Sequence, residues 1–397
     1  MLTPAQRDIV KSTVPLLETG GEALTTHFYG LLFRDHPEVR PLFNQAHQAS
    51  GDQPRALAHG VLMYARHIDE LQALGPLVQQ IVQKHAALQV LPEHYPLVGD
   101  SLLRAIREVL GPEIATDAVI DAWAAAYGML ADLLIGAEAA VYDQKAAAPG
   151  GWRGARPFRV ARKQRESAEI TSFYLEPVDR GPLLDFEPGQ YLGLRLVVDG
   201  QEIRRNYSLS AAPNGHYYRI SVKRAEGGVA SNHLHDVVQV GDVLEVFPPA
   251  GDFRLADSHR PIALISGGVG ITPTLAMLDA VLASPGDRPV YFIHCARNAE
   301  VHAFRADVDA LAARHARLRV FYCYEQHDED EGDGAPHAIG RIDRERLAAW
   351  LPADRDLDAY FLGPKPFMAQ VRRDLRALGV PDAQARYEFF GPAAALE

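Results

Sequence analysis

Residues 262–283, IALISGGVGITPTLAMLDAVLA, decide the fold of the last part of the chain. They begin with an uninterrupted apolar run, which is typical of a strand buried on both faces. A glycine-rich loop and then a helical stretch follow, and this order suits a pyrophosphate, because the backbone can approach it and the helix dipole favours an anion. The loop lacks the dinucleotide fingerprint with an acidic residue about 20 positions further on. Taken alone, it therefore leaves a purely structural turn open.

On either side of this stretch, the spacing of apolar residues and turn signals divides the chain into three parts. In residues 262–397, apolar strands such as PVYFIHC and LRVFYCY alternate with helical stretches, which predicts an α/β domain with a parallel sheet. In residues 152–261, short β-rich runs between turn signals predict a small antiparallel barrel or sandwich. Residues 1–146 carry apolar residues at every third or fourth position, which predicts an all-α domain of six or more helices. The run AAAPGG at 146–151 is the expected linker.

Composition and charge exclude several classes of partner. The 397 residues are 47% hydrophobic and 23% charged, and the formal net charge is −11, which argues against nucleic acid or an anionic membrane surface. The only cysteines, Cys295 and Cys323, lie in expected strands and suggest no disulfide framework. The sequence shows no secretory signal, and no uninterrupted apolar stretch approaches the about 18 residues of a membrane span. The expected location is the cytoplasm.

A histidine in the helical part is a candidate haem ligand. His85 shares an apolar helical stripe with Leu77, Ile81 and Leu88. A histidine on such a face is more often a core residue, but a haem ligand also needs an imidazole on a rigid element facing an apolar pocket. Aromatic side chains suited to pack against a macrocycle lie upstream, namely Phe28, Tyr29, Phe33 and Phe43.

Four motifs follow one another in the barrel part. They are PGQY at 188–191, RNYS at 205–208, GVAS at 228–231 and PPAGDF at 248–253. In an extended strand Arg205 and Tyr207 share one face while Ser208 points to the other, so RNYS can offer a cation to a phosphate and an aromatic ring to a flat ligand. Small residues ahead of a helix, as in GVAS, suit an anion.

These motifs, in unbroken order over about residues 1–392, resemble those of the bacterial flavohaemoglobins. The string HFYG…HPE…LFN…GDQ…QKHAALQVLPEHYPLVG resembles their globin domain, and the remainder resembles a ferredoxin-reductase-type module. The resemblance implies a globin domain at 1–146, an antiparallel β-barrel FAD domain at 152–261 and an α/β NAD(P)H domain at 262–397. It implies haem b, FAD and NAD(P)H as cofactors, and it leaves a bound lipid in the haem pocket open.

The implied activity is that of a nitric oxide dioxygenase. NAD(P)H reduces FAD, FAD reduces the haem iron, and oxygen bound at the iron converts nitric oxide to nitrate. FAD suits this architecture because it can divide the electron pair of a hydride for an iron that takes one electron at a time. The rival functions are a haem-based gas sensor or carrier, and an anaerobic nitric oxide or alkyl hydroperoxide reductase.

In the globin part, the resemblance implies a ligand histidine with a hydrogen-bonded partner set. His85 ligates the iron, and Tyr95 and Glu138 hydrogen-bond each other and His85 on the proximal side. A carboxylate facing the imidazole N–H makes it more basic, which favours activation of bound oxygen over storage. The resemblance also implies that Phe43 packs against the macrocycle.

On the distal side, the resemblance implies that Tyr29, Gln53 and Leu57 face the gas ligand, with Tyr29 donating a hydrogen bond to bound oxygen. Proline is tolerated only in the first turn of a helix, so Pro54 fixes a helix start next to Gln53. We expect Asp52 to cap that helix.

In the reductase part, the resemblance assigns one residue set to each nucleotide. The FAD set is Tyr191, Arg205, Asn206, Tyr207, Ser208, Gly228 and Ser231. The NAD(P)H set is Gly267, Gly268, Val269, Gly270, Ile271, Thr272 and Pro273. The family usually carries Ile-Arg-Gln-Tyr-Ser, whereas this chain has one more residue; the spacing favours Arg205 for the phosphate, with Arg204 as the rival.

The carboxyl-terminal signature YEFFGP completes the resemblance. It implies that Phe390 covers the flavin ring and that Glu388 and Lys84 tune the haem and flavin potentials. The remaining residues of this set are Phe389, Gly391 and Pro392. Many relatives have Cys where this chain has Leu362, so no thiol assists hydride transfer there. The sequence leaves the choice between NADH and NADPH open.

Overall fold

The computed structural model describes residues 2–326, 335–391 and 396. The described chain forms two compact units. The first contains residues 2–154, 195–205 and 391, and the second contains the other described residues. Pro392 lies outside the described residues.

Seven α-helices, counted over the described residues, form most of the first unit, as the apolar spacing predicts. They are α1 (Pro4–Ser12), α2 (Val14–Asp35), α3 (Gln45–Ala49), α4 (Asp52–Arg66), α5 (Gly75–Leu88), α6 (His94–Leu110) and α7 (Asp117–Ala147). Short 3₁₀ helices at Pro37–Leu42 and Leu71–Leu74 lie between them.

The core of this unit forms where α2 packs against α4 and α6. Fully buried side chains such as Leu32, Ala65 and Ala105 fill the space between these helices. Helix α7 packs against α1, α5 and α6. This arrangement places Tyr29 on α2, Gln53 and Leu57 on α4, and the candidate iron ligand on α5.

The start of α4 corrects one expectation. Gly51, with a φ of 74°, is the N-cap, and Asp52 is the first helical residue instead of the cap. The left-handed conformation at this cap favours glycine, which has no Cβ to clash. The Asp52 carboxylate accepts hydrogen bonds from Ser50 Oγ (2.6 Å) and Arg55 (2.8 Å). Pro54 lies in the first turn, as expected.

An antiparallel barrel follows the helices. Its strands are β1 (Arg156–Arg165), β2 (Ile170–Pro177), β3 (Tyr191–Val198), β4 (Gln201–Ser208), β5 (Tyr218–Lys223) and β6 (Val243–Val246), with helix α8 (Val229–Asp236) before β6. The strand order is β4-β3-β6-β1-β2-β5. An antiparallel bridge between Leu209, just beyond β4, and Ile220 of β5 joins the two edge strands, so the sheet closes on itself. Of the two expected forms, the barrel is the one found.

The last part is a parallel sheet with crossover helices. Its elements are β7 (Ile262–Gly267), α9 (Ile271–Ala283), β8 (Val290–Ala296), α10 (Arg305–Arg314), β9 (Leu318–Tyr324), β10 (Ala338–Ile339), α11 (Arg344–Trp350), β11 (Asp358–Leu362), α12 (Lys365–Ala377) and β12 (Ala385–Tyr387). The order is β10-β9-β8-β7-β11-β12, and all the pairings are parallel. Short 3₁₀ helices cover Gly268–Gly270 and Asp382–Gln384.

Helix α7 is long and apolar enough to cross a membrane by length and composition alone, with a mean hydropathy of 1.5 over 18 residues. The sequence shows no uninterrupted apolar run of this length, because Asp121, Asp132 and Glu138 lie within α7. Core helices of soluble proteins meet the same criterion. In α7 the buried face includes Trp123, Leu134 and the carboxylate of Glu138, which suits a core helix better than a lipid-facing one.

Candidate functional site

The proximal set predicted for the globin part comes together in one hydrogen-bonded cluster. Nδ1 of His85 lies 2.6 Å from Oε1 of Glu138 and 3.2 Å from the Tyr95 hydroxyl. The same Glu138 oxygen accepts a hydrogen bond from the Tyr95 hydroxyl at 2.6 Å. Glu138 is only 2% exposed. A buried carboxylate with these two partners fixes the orientation of the imidazole ring.

The other ring nitrogen of His85 is the one suited to bind iron. No residue that the structure describes hydrogen-bonds to Nε2, and the side chain is 31% exposed. Because Glu138 occupies Nδ1 as an acceptor, the Nδ1 proton is retained and Nε2 carries the lone pair. Within the described ranges, no group of three or more His, Cys, Asp or Glu suits a metal ion. The donor set therefore fits a haem held by one histidine.

The distal residues form an aromatic cluster around a buried phenol. Tyr29 is 4% exposed, and burial raises its pKa to about 12. Its ring centroid lies 5.6 Å from those of Phe33 and Phe43. Nε2 of Gln53 donates to the Tyr29 hydroxyl oxygen at 3.4 Å. Leu57 packs against the same core, half-buried.

Two further residues, Gln48 and Tyr142, lie at the site although no sequence motif indicates them. Gln48 is close enough to Tyr29 to lower its pKa, and the Gln48 Nε2 is buried with no hydrogen-bond partner among the described residues. Tyr142 lies one turn after Glu138 and donates to the carbonyl oxygens of Val90 (2.7 Å) and His85 (3.4 Å). Tyr142 is four residues after Glu138 and therefore lies on the same face of α7. This spacing is the sequence signal from which Tyr142 could have been predicted. Nothing in the sequence singles out Gln48.

The rival arginine of the RNYS motif is engaged elsewhere. Arg204 is hydrogen-bonded to Glu202 at 2.8 Å and donates to the carbonyl oxygen of Leu88, the last residue of α5, at 2.5 Å. A guanidinium at a helix carboxyl end satisfies carbonyls that have no partner within the helix. Arg205 donates to the carbonyl oxygen of Arg204 at 2.6 Å.

Lys84, next to the candidate iron ligand His85, holds the carboxyl-terminal tail. Its ammonium donates to the carbonyl oxygen of Gly391 at 2.8 Å. A Cβ at Gly391 would lie 3.0 Å from the imidazole of His47, so the tail passes close to that ring. Burial is the largest cause of a lowered His47 pKa, and the charges of Arg205 and Lys84 act in the same direction.

In the barrel, the ring of Tyr191 packs closely against Gly251. A Cβ at Gly251, whose φ is 120°, would lie 2.8 Å from the Tyr191 ring. Tyr191 is 6% exposed. Burial raises its pKa, and the charge of the buried Glu388 adds to this, so the two side chains lie near each other. A buried aromatic ring near a buried carboxylate suits a flat, polar ligand such as a flavin.

The other residues predicted to bind FAD lie in β4, at the start of α8 and in the carboxyl-terminal tail. Tyr207 and Ser208 end β4, while Asn206 is exposed. Gly228 caps α8, and Ser231 Oγ accepts from the Ala225 N–H at 3.1 Å. In the tail, Phe389 is half-buried and Phe390 is 47% exposed, an aromatic surface suited to cover a flat ring.

The glycine loop lies at the carboxyl edge of the parallel sheet, where open α/β sheets bind ligands. A Cβ at Gly270 would lie 2.6 Å from the carbonyl carbon of Leu362, and one at Gly267 would lie 3.2 Å from the Phe367 ring. Gly268 has a φ of 54° and open space beside it. Glycine is therefore required for this approach, and the open side leaves room for a phosphate.

The segment that follows the loop starts α9. Ile271, Thr272 and Pro273 form its first turn, and all three are buried. The Thr272 hydroxyl donates to the carbonyl oxygen of Val269 at 3.0 Å, which closes the loop onto the helix. The expected strand, loop and helix of the nucleotide site are thus present.

Three family models match successive parts of the chain. They are Globin over residues 26–134, Oxidoreductase FAD-binding domain over 157–255 and Oxidoreductase NAD-binding domain over 264–373. The helical domain, the barrel and the parallel-sheet domain are therefore a globin, an FAD-binding and an NAD-binding domain, and the cofactors of these domains are haem, FAD and NAD(P)H.

Relatives match over the full length. The flavohemoproteins of Pseudomonas putida and Pseudomonas aeruginosa are 66% and 67% identical over 397 residues, which is 100% of both chains in each comparison. Among solved structures, the Malassezia yamatoensis flavohemoglobin with bound FAD and heme has a TM-score of 0.85 at 26% identity, covering 98% of this chain and 100% of that one. The FAD/NAD-binding domain of a Vibrio cholerae nitric oxide dioxygenase has a TM-score of 0.56 at 38% identity, covering 60% of this chain and 100% of that one.

Proposed function

We propose that this chain, which belongs to the flavohemoprotein family, is an NAD(P)H-dependent nitric oxide dioxygenase of the cytoplasm. The observation that carries the proposal is the buried cluster of His85, Glu138 and Tyr95. A carboxylate on the imidazole N–H favours activation of oxygen over reversible storage. The two oxidoreductase domains supply the electrons that repeated turnover needs.

On the proximal side, we assign each residue of the cluster a separate task. His85 holds the iron through Nε2, Glu138 polarises the imidazole through Nδ1, and Tyr95 anchors the carboxylate by donating to it. When bound, haem supplies the iron at which oxygen and nitric oxide react, and FAD divides the electron pair of NAD(P)H into single electrons. Each nitrate requires one of these electrons, so one NAD(P)H supports two turnovers.

On the distal side, we assign Tyr29 the hydrogen bond to the gas ligand. Burial raises its pKa to about 12, so the phenol remains protonated and can donate at neutral pH. Gln53 donates to the phenol oxygen, which leaves the hydroxyl hydrogen for another acceptor. Phe43 and Leu57 keep the surroundings apolar, which strengthens this hydrogen bond.

For the reductase half, the assignments follow the motifs. Tyr191, Tyr207, Ser208 and Phe390 bind FAD, with Arg205 on its phosphate. The contacts of Arg204 with Glu202 and Leu88 support this choice between the two arginines. The loop from Gly267 to Gly270 binds the NAD(P)H pyrophosphate.

The experiment that tests the function is a product analysis of the purified holoprotein. Under air, with NADH or NADPH and nitric oxide, we expect stoichiometric nitrate, about two per nicotinamide oxidised because a hydride carries two electrons. Absorption spectra before and after NADH addition report the haem and flavin bands. Nitrous oxide as the main product would favour a reductase. Turnover no faster than that of a plain globin mixed with NADH would favour a sensor or carrier.

The Tyr29→Phe variant tests the distal assignment. We expect oxygen to dissociate from the reduced protein about tenfold faster, or more, because a hydrogen bond to a charged group contributes roughly 1.5–3 kcal/mol. Flash photolysis or stopped-flow displacement measures the rate. Tyr64→Phe is the matched control, since the Tyr64 hydroxyl donates to the carbonyl oxygen of Ala126 at 2.8 Å instead. An unchanged rate in Tyr29→Phe removes this residue from the distal role.

A further inference from the structure

Cys295 and Cys323 face each other across two neighbouring parallel strands. They are direct register partners of β8 and β9, and both thiols are free. Register partners in adjacent strands are about 4.8 Å apart at Cα and point to the same face of the sheet. A disulfide needs a Cα separation of about 4.4–6.8 Å. The backbone therefore already holds the two cysteines at bonding separation.

The two thiols also contact each other and share a cationic neighbour. The Cys323 thiol donates to the carbonyl oxygen of Gly340 at 3.0 Å. Arg346 donates to the carbonyl oxygens of Ile339 (2.7 Å) and Arg341, on either side of Gly340. The hydrogen bond from Cys295 and the charge of Arg346 lower the pKa of Cys323. The contact with Cys323 and burial raise the pKa of Cys295 well above its ordinary value, so any negative charge of the pair rests on Cys323.

The two cysteines differ in exposure, which assigns each a task. Cys323 is 1% exposed, whereas Cys295 is half-buried. Attack by Cys295 requires its proton to pass first to Cys323, which has the lower pKa of the two. Cys295 is therefore the sulfur that an external reagent reaches, and Cys323 is the sulfur that resolves the adduct.

We propose that Cys295 and Cys323 are a modification site, a dithiol that forms a reversible disulfide by exchange with small disulfides such as oxidised glutathione. The Cys295 thiolate attacks the glutathione disulfide; a mixed S–S bond forms and one glutathione thiolate leaves. Cys323 then gives up its proton and attacks Cys295 Sγ, the protein disulfide forms, and the second glutathione leaves. The protein loses two hydrogens and two glutathiones are formed, so atoms and electrons balance.

The position of the pair connects it to the nucleotide loop. Cys295 is also the register partner of Gly267, the first residue of that loop, in strand β7. Phe367, whose ring lies against Gly267, packs in the same apolar cluster as Cys295. A covalent bond that draws the end of β8 towards β9 shifts this packing. We therefore expect the disulfide form to bind NADH several-fold more weakly than the dithiol form.

To test this, the holoprotein is equilibrated in glutathione buffers that contain an increasing fraction of oxidised glutathione. The remaining free thiols are then blocked, and the peptides are mapped without reduction. We expect a cross-linked peptide pair containing Cys295 and Cys323, lighter by two hydrogens and lost on treatment with dithiothreitol. Fluorescence titration of NADH with each form measures the change in affinity. Cys295→Ser and Cys323→Ala, made separately, should each form no such cross-link and should bind NADH equally in all buffers.

Two outcomes overturn the proposal. One is a glutathione adduct on Cys295 that never resolves to the cross-link. The other is a pair of thiols that stays alkylatable in the most oxidising buffer. A cross-link with unchanged NADH affinity overturns the assigned effect on the nucleotide loop. If Cys323→Ala does not fold, Cys295→Ser still decides the question, because Cys295 is the more exposed partner and serine keeps its size.

Discussion

The His85→Ala variant is expected to purify almost free of haem while NADH still reduces its flavin. Nε2 of His85 is the proposed iron donor, and the structure describes no three-residue acidic, cysteine or histidine cluster that could replace it. Removal of the imidazole leaves the macrocycle with packing contacts alone, which do not hold iron in place. The measurements are the ratio of haem to protein and the flavin absorbance after anaerobic addition of NADH.

His59→Ala is the matched control for this prediction. His59 is exposed on α4, and its loss removes the same side chain from the same domain without touching the cluster of Glu138 and Tyr95. Added imidazole should restore part of the haem in His85→Ala, because it fills the vacated space and supplies the same donor. Retention of haem at the wild-type ratio would show that another residue ligates the iron. Loss of flavin reduction as well would show that the two functions are not separable.

The order of elements was predictable because the hydrophobic period changes along the chain. Uninterrupted apolar runs before the glycine loop and in PVYFIHC predict a parallel sheet, and β7 and β8 are such strands. The closure of the barrel was not predictable, because it depends on one bridge between Leu209 and Ile220 that no local pattern encodes. The β-rich runs by themselves fit a barrel or a sandwich for this reason, and the family resemblance is what predicts the barrel.

The candidate site was also predictable from the sequence only in part. Glu138 meets His85 from 53 residues away, and only the family resemblance, not helical spacing, predicts that meeting. The predicted cap of α4 was wrong. An acidic residue before a helix is a common N-cap, but here Gly51, which has a positive φ, is the N-cap. The spacing to Tyr207 favours Arg205 over Arg204 for the phosphate, and the contact of Arg204 with Leu88, which no local pattern encodes, supports that choice.

The Gly270→Ala variant is expected to lose NADH-driven flavin reduction at ordinary NADH concentrations while keeping its haem. The new Cβ would lie 2.6 Å from the carbonyl carbon of Leu362 and 3.0 Å from the Gly363 nitrogen. Both are backbone atoms and cannot rotate away, so the loop must shift from the edge of β11. Overpacking of this kind costs about 1–3 kcal/mol, so we expect NADH affinity to fall about five-fold to a hundredfold.

Stopped-flow measurement of flavin reduction against NADH concentration separates this effect from a general loss of structure. We expect a higher half-saturating concentration, with unchanged haem content and an unchanged oxygen dissociation rate, because the proposed haem residues belong to a different compact unit from this loop. Gly20→Ala is the matched control, since a Cβ at that helical position meets nothing within 4 Å and alanine favours a helix. If Gly270→Ala reduces its flavin with the NADH dependence of the wild type, the loop does not bind the pyrophosphate through this close approach, and the nucleotide site must be formed by other backbone groups at the edge of the sheet.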